Sequence, residues 1–477
     1  MSDLRNIAPL LDAYLSYFES ARTPFTIPGH KQKASQLDAG LGAVVDPDTP
    51  LYGGLDEIKL THQVLKKAES LAAQLWGADY ARFSTGGSTH ANQAIVLSLG
   101  APGEKVAISR TAHRSILSAL VLAGLEPIWM SPEIDVATGV PTGIAPAELA
   151  KALEENPIAV LLTEPGYLGT ISDLPALIEL AHKKKIPVIL DAAWGGHFGF
   201  HASLPRHAFQ LGADALITST HKALPGYSAS ALLLARSEFL NLDRLEQSFE
   251  TTHTTSPAGA PLASLDGVRA LLQPRGDELL SSLIANVEKF KALVQAEFAL
   301  PIFLYPHDFP AGRFDPTKIV LRVQQLGASG VEIENELQKA GIRVEMADRD
   351  TIVFLATIAD SQEQFQTLAD ALIPILKAHQ EQRRESATAL SWSVVPMRGI
   401  SMRDAYFAHT EMVKAEDAVG RISADLIAPY PPGVAVVAPG EILTQSIVEG
   451  LGASKAAGVR IAYATDSTLA TYRVVKD

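Results

Sequence analysis

Lys222 and Asp191 stand 31 residues apart, each closing a short apolar run. "ADALITST" (213–220) leads into His221-Lys222, and "IPVILD" (186–191) ends on the aspartate. A lysine withdrawn from water near other cations loses proton affinity, and its free amine can then attack a carbonyl. A carboxylate beneath a pyridine nitrogen keeps that nitrogen protonated and makes the ring an electron sink. Each residue also has an ordinary reading: a solvated loop lysine, or an aspartate capping the next turn.

A third element is "RFSTGGSTHANQAIVLSLG" (82–100), where two glycines and hydroxyl residues lead into a helical run beginning near Thr89. Backbone N–H groups at such a helix start, with the Ser88 and Thr89 hydroxyls, make a phosphate cradle; a simple capped helix is the alternative. No Gly-Lys dipeptide and no GxGxxG pattern occurs, which removes support for ATP or NAD binding. His113, in "SRTAHRSIL", follows another apolar run and could lie flat on an aromatic ring. Trp194 and His197, in "DAAWGGHFGFH", could wall a site. His197 and His201 are four apart, a metal-ligand spacing on a helix, but Gly195, Gly196 and Gly199 argue against a helix, so no metal is expected. Taken in order (phosphate loop, stacking histidine, acid under a ring nitrogen, Ser-x-His-Lys), these pieces describe a pyridoxal 5′-phosphate (PLP) site.

The elements that must position them are legible as an alternation. "KVAIS" (105–109), "EPIWM" (126–130), "IAVLLTEP" (158–165), "IPVILDAAW" (186–194), "ADALITST" and "SALLLA" (230–235) read as buried strands, with helical stretches between the first five. That pattern predicts an α/β fold with a mainly parallel sheet covered on both faces, and such sheets bind ligands at the carboxyl ends of their strands. Polar residues gather at four of those ends: Ser109 to His113, Thr163 to Tyr167, Asp191 to His197, and Ser219 to Lys222. The expected organisation is an N-terminal arm (1–35), a PLP-binding large domain (36–270), a small α/β domain (271–380) and a C-terminal α+β domain (381–477). A net charge of −13 argues against nucleic-acid binding, and the lack of cysteine excludes disulfides and thiol catalysis. No apolar run approaches a membrane span, and the N-terminus lacks a signal-peptide pattern, so a soluble, cytoplasmic protein is expected.

The chain resembles the group III basic amino-acid decarboxylases, the ornithine/lysine/arginine decarboxylase family. The resemblance rests on "FTIPGHK" (25–31), "GST" (87–89), "AHRS" (112–115), "EPGYLGTISDL" (164–174), "LDAAWGGHF" (190–198), "TSTHK" (218–222), "TTSP" (254–257) with "PLASLD" (261–266), and "PYPPGVAVVAPGE" (429–441). It implies PLP-dependent fold type I, as in aspartate aminotransferase, and decarboxylation of arginine, lysine or ornithine in polyamine metabolism. The short form of the family is implied, since no receiver-like domain precedes "IPGHK". By motif, Lys222 is the cofactor-bearing lysine, Asp191 the partner of the ring nitrogen, and His113 the stacking residue. Ser88, Thr89, Ser219 and His221 are implied phosphate ligands, and Lys222 or His221 returns a proton to the reacting carbon. Thr255 and Ser256 are implied to reach the phosphate from a neighbouring subunit of a homodimer, and Trp194 and Glu441 to lie near the substrate.

The chain departs from the family at Gly166, where a hydroxyl residue is usual, and at Ala258-Gly259, where many relatives carry Ser-Tyr. Two competing readings share the residues: another PLP reaction on the same fold, such as aldol cleavage or aminotransfer with Arg343, Arg398 or Arg403 clamping the substrate, and an inactive regulatory copy. Retention of Lys222, Asp191 and His113 together speaks against the second.

Overall fold

Residues 4–20, 23–51, 55, 63–135, 140–384, 396–430, 434–456 and 458–476 are described by the computed structural model. Seven short aliphatic runs pair into one sheet: β1 (Tyr80–Ser84), β2 (Lys105–Ser109), β3 (Glu126–Met130), β4 (Val160–Thr163), β5 (Val188–Asp191), β6 (Ala215–Ser219) and β7 (Ala231–Ala235). Their order is β1-β7-β6-β5-β4-β2-β3. Every neighbouring pair among β2 to β6 is parallel, while β7 runs antiparallel to both β6 and β1. Strands β5, β6 and β7 are buried at every residue, as a sheet covered on both faces requires. The expected strands are present; β1, hidden in a polar "YARFS", was not anticipated.

Helices close the crossovers. α1 (Val64–Trp76) stops at Gly77, whose left-handed φ of 71° ends the helix as the glycine's position predicts. α2 (Gly87–Leu99) follows β1, and α3 (Arg114–Ala123) follows β2. Two apolar clusters sandwich the sheet, one holding Trp76, Phe83 and Leu190, the other Ile95, Ile116 and Ile217. Each fully buried aliphatic side chain there contributes about 1.5–3 kcal/mol of transfer free energy.

The long helix α4 (Gly259–Gln295) spans residue 270, where a domain boundary was expected. Leu262 to Leu272 pack in the large core and Leu280 to Val294 in the next one, with Pro274 between them. The small domain adds an antiparallel sheet of β8 (Ile319–Arg322), β9 (Met346–Ala347) and β10 (Thr351–Phe354), in the order β8-β10-β9. A separate cluster around Val436, Leu443 and Tyr472 forms the C-terminal core. Residues 385–395, near the start of the expected C-terminal domain, and 431–433, in the Pro-rich motif, lie outside the described residues. No helix among the described residues is long and apolar enough to cross a membrane.

Candidate active site

The carboxyl ends of the parallel strands open into a cavity of about 890 Å³, walled also by the small and C-terminal domains. Ser88, Thr89, His113, Asp191, Trp194, Ser219, His221 and Lys222 all line it. The strand-end rule therefore selected one site.

Asp191 ends β5 and is only 4% exposed. Its Oδ2 accepts from the Asn92 amide nitrogen at 2.8 Å and its Oδ1 from the Ala193 N–H at 3.2 Å. The Lys222 ammonium lies 4.4 Å from the centre of the Trp194 ring. Burial lowers its pKa, while Asp191 and Glu345 pull the other way. It makes no ion pair among the described residues, so its amine is free for a ligand. Tyr167 meets the same indole edge-on at 5.2 Å and reaches Glu345 through its hydroxyl at 3.3 Å.

β1 turns at Gly86-Gly87 into α2, and Gly87 takes a left-handed φ of 69°. No side chain caps this helix, so its first-turn N–H groups face the cavity without an internal acceptor. Ser88 Oγ and Ser219 Oγ meet at 2.8 Å beside them, bringing two strand ends to one anion-binding corner. His221 Nδ1 lies 3.1 Å from the Ser230 carbonyl, which can only accept, so Nδ1 carries the proton and Nε2 is the basic nitrogen. Burial and Lys222 hold this ring below the usual histidine range, against the Ser230 bond.

The donor set fits PLP: an uncapped helix start and hydroxyl pair for a phosphate, a buried acid for a ring nitrogen, and an unpaired lysine amine. Residues 8–307 match the family described as "Orn/Lys/Arg decarboxylase, major domain", and residues 393–459 match "Orn/Lys/Arg decarboxylase, C-terminal domain". The chain belongs to the Orn/Lys/Arg decarboxylase family. It is 32% identical to an arginine decarboxylase of Halalkalibacterium halodurans, covering 98% of both chains. It is likewise 32% identical to an arginine decarboxylase of Bacillus subtilis, again with 98% of both covered. The fold matches that of lysine decarboxylase A from Pseudomonas aeruginosa with a TM-score of 0.83 at 18% identity, covering 99% of this chain and 81% of that one. This family member is therefore a carboxy-lyase of PLP fold type I, acting on a basic amino acid.

Glu441, which the family's motif implied to lie near the substrate, does not line the cavity of its own chain. It is 3% exposed and absent from the cavity wall, because Arg110 takes both its oxygens, at 2.6 and 2.9 Å. Arg110 also donates to the Val436 carbonyl at 2.8 Å and stacks on Trp129, so the pair joins β2's end to the C-terminal domain. Thr255 and Ser256 are exposed and do not line the cavity of their own chain. His197 also stands away from the cavity, bonding to Asp315 and Thr317 of the small domain. Among the described residues no group of three potential ligands could hold a metal.

The arginines offered for an aminotransferase clamp are elsewhere: Arg398 pairs with Glu126, and Arg403 donates to the Val121 and Leu122 carbonyls. Arg343 is exposed and does not line the cavity either. The arginine in the cavity wall is Arg349, paired with Asp350 at 2.9 Å.

Several site residues escaped the sequence reading. Asn92 is one turn beyond Ser88, so helical spacing from the phosphate loop would have indicated it. Glu345 and Asp348 come from the small domain, where no local pattern marks them. Glu164 lines the cavity at 6% exposure, accepting from the Ser172 hydroxyl and N–H; burial pushes its pKa up to about 7, against those bonds. Lys318 lies 3.9 Å from the centre of the Trp194 ring, its pKa lowered to about 8 by burial.

Proposed function

We propose that this family member decarboxylates L-arginine in preference to lysine or ornithine. The observation that carries this is the cavity itself, in which the unpaired Lys222 amine shares one chamber with the Glu345 and Asp348 carboxylates. A cationic side chain suits that acidic wall, and the full-length relatives at 32% identity are named arginine decarboxylases.

When bound, PLP supplies the sink for the electron pair left by departing carbon dioxide. Lys222, its proton affinity lowered by burial, holds the cofactor through its amine. Asp191, gripped by Asn92 and Ala193, holds a proton at the ring nitrogen. The start of α2, with Ser88, Thr89 and Ser219, would take the phosphate, and His221 would join them when Nε2 is protonated. His113, in the cavity wall, would stack on the cofactor, and Trp194 with Tyr167 would wall the substrate side. The Lys222 ammonium, or His221 once its Nε2 has taken up a proton, would return the proton that replaces the carboxylate.

A homodimer completes the reading. Phe25, Leu37 and Val44 of the N-terminal region are 93%, 87% and 74% exposed, apolar surface that a second copy would cover. Exposed Thr255 and Ser256 would then reach the partner's phosphate. The acidic, cysteine-free composition supports a cytoplasmic enzyme, and its amine product is of the class from which polyamines are built.

The test is carbon dioxide release from arginine, lysine and ornithine by the PLP-loaded protein. Arginine is expected to give the highest kcat/KM. No release from any of the three, with amination of a keto acid instead, would establish the aminotransferase reading.

A further inference from the structure

His113 occupies an unusual place for a histidine: it is the N-cap of α3, and its Nδ1 faces the Ser115 backbone N–H at 3.3 Å. A backbone N–H can only donate, so this nitrogen must be the acceptor. The Ser115 hydroxyl meets the same Nδ1 at 2.8 Å, and the direction of that bond follows from the far side of the network. Asp191, as a carboxylate, accepts only, so the Asn92 amide must turn its NH₂ toward it, at 2.8 Å. The same NH₂ lies 2.9 Å from Ser115 Oγ, which therefore accepts from Asn92 and has its own hydrogen left for His113. Two independent arguments, one through the backbone and one through Asn92, give one polarity.

We propose that Asn92 and Ser115 are positioning residues that lock His113 as the neutral imidazole with its proton on Nε2. Both are buried, at 0% and 2% exposure, while His113 itself lines the cleft. The charged groups facing the ring are Asp191 at the end of β5, Lys222 beyond β6, and Arg114 on its own helix. Burial, Lys222 and Arg114 disfavour the imidazolium, against the pull of Asp191. The consequence rests on the PLP reading of the site. An imidazolium stacked on a cationic pyridine ring would repel the very charge that Asp191 sustains. One amide therefore sets both states: Asn92 grips the carboxylate that keeps the ring charged, and orders the serine that keeps the stacking histidine neutral.

The test is ¹⁵N NMR of the PLP-loaded protein with labelled histidine, His113 being assigned by comparison with His113→Gln. The wild type is expected to show Nδ1 unprotonated and Nε2 protonated from about pH 6 to pH 8. Ser115→Ala keeps the backbone N–H on Nδ1 and so should keep the Nε2–H form, but should raise the ring's titration midpoint by up to about one pH unit, the worth of the lost hydroxyl bond. Ser115→Thr should restore the wild-type spectrum, and Ser115→Cys, a weaker donor, should move the midpoint less than alanine does. A proton on Nδ1 in the wild type, or an unchanged midpoint in the alanine and cysteine variants, would overturn the proposal. These spectra are read without substrate, so a failed substrate panel and a failed tautomer lock are separate results.

Discussion

Asp191, at the end of β5, and Glu441, in the C-terminal domain, are both buried carboxylates, and they are satisfied in opposite ways. Glu441 meets a guanidinium bidentately and adds the Ala438 N–H at 2.7 Å, leaving no charge for a ligand. Asp191 is held by neutral donors alone, an amide and a backbone N–H, and makes no ion pair among the described residues. The cations follow the same division: Arg110 is 2% exposed and bound through both terminal nitrogens, whereas Lys222 lines the cavity over an indole. A charge that joins domains is neutralised where it stands. One that serves a ligand is oriented and left uncompensated until the ligand arrives.

That contrast can be broken most forcefully at the clasp. Glu441→Ala leaves Arg110 buried and unpaired, and is expected to cost about 3–5 kcal/mol in chemical unfolding. Replacing both partners, Arg110→Met with Glu441→Leu, should return most of that loss. Asp191→Asn is expected to do the reverse, lowering kcat about 10²–10³-fold with little change in unfolding.

Glu164 offers a pH test of the same division. Its folded pKa, up to about 7, exceeds the ordinary 4.5, so the folded state keeps a proton that the unfolded chain releases. Stability should therefore fall as pH rises from about 4.5 to 7, by roughly 1–3 kcal/mol, and Glu164→Gln should flatten that decline. The smallest effect is expected at the acidic wall. Glu345→Gln should raise KM for arginine about tenfold, the worth of one charge-assisted bond, and alter kcat less.

The sheet and the cleft were legible because both obey short-range rules. Apolar runs such as "VILD" and "ALITS" became β5 and β6, and polar residues at their ends fell into one cavity. The pairing of Glu441 with Arg110 was not legible, because the two are 331 residues apart and nothing local announces the pair. Asn92 and Ser115 were passed over as ordinary helix residues, since their meaning lies in a hydrogen-bond direction that only the folded arrangement supplies. Glu345 reaches the cavity through the small domain, again by a contact that sequence spacing does not encode.

The central claim is that Lys222, rather than any other buried lysine, carries the cofactor. Lys318 is the natural control, since its ammonium touches the same Trp194 ring and burial has lowered its pKa as well. Borohydride reduction of the PLP-loaded protein, followed by peptide mass spectrometry, separates the two. The cofactor's mass is expected on the peptide containing Lys222 and absent from that containing Lys318. A label on Lys318, or an undiminished visible cofactor band in Lys222→Ala, would contradict the account.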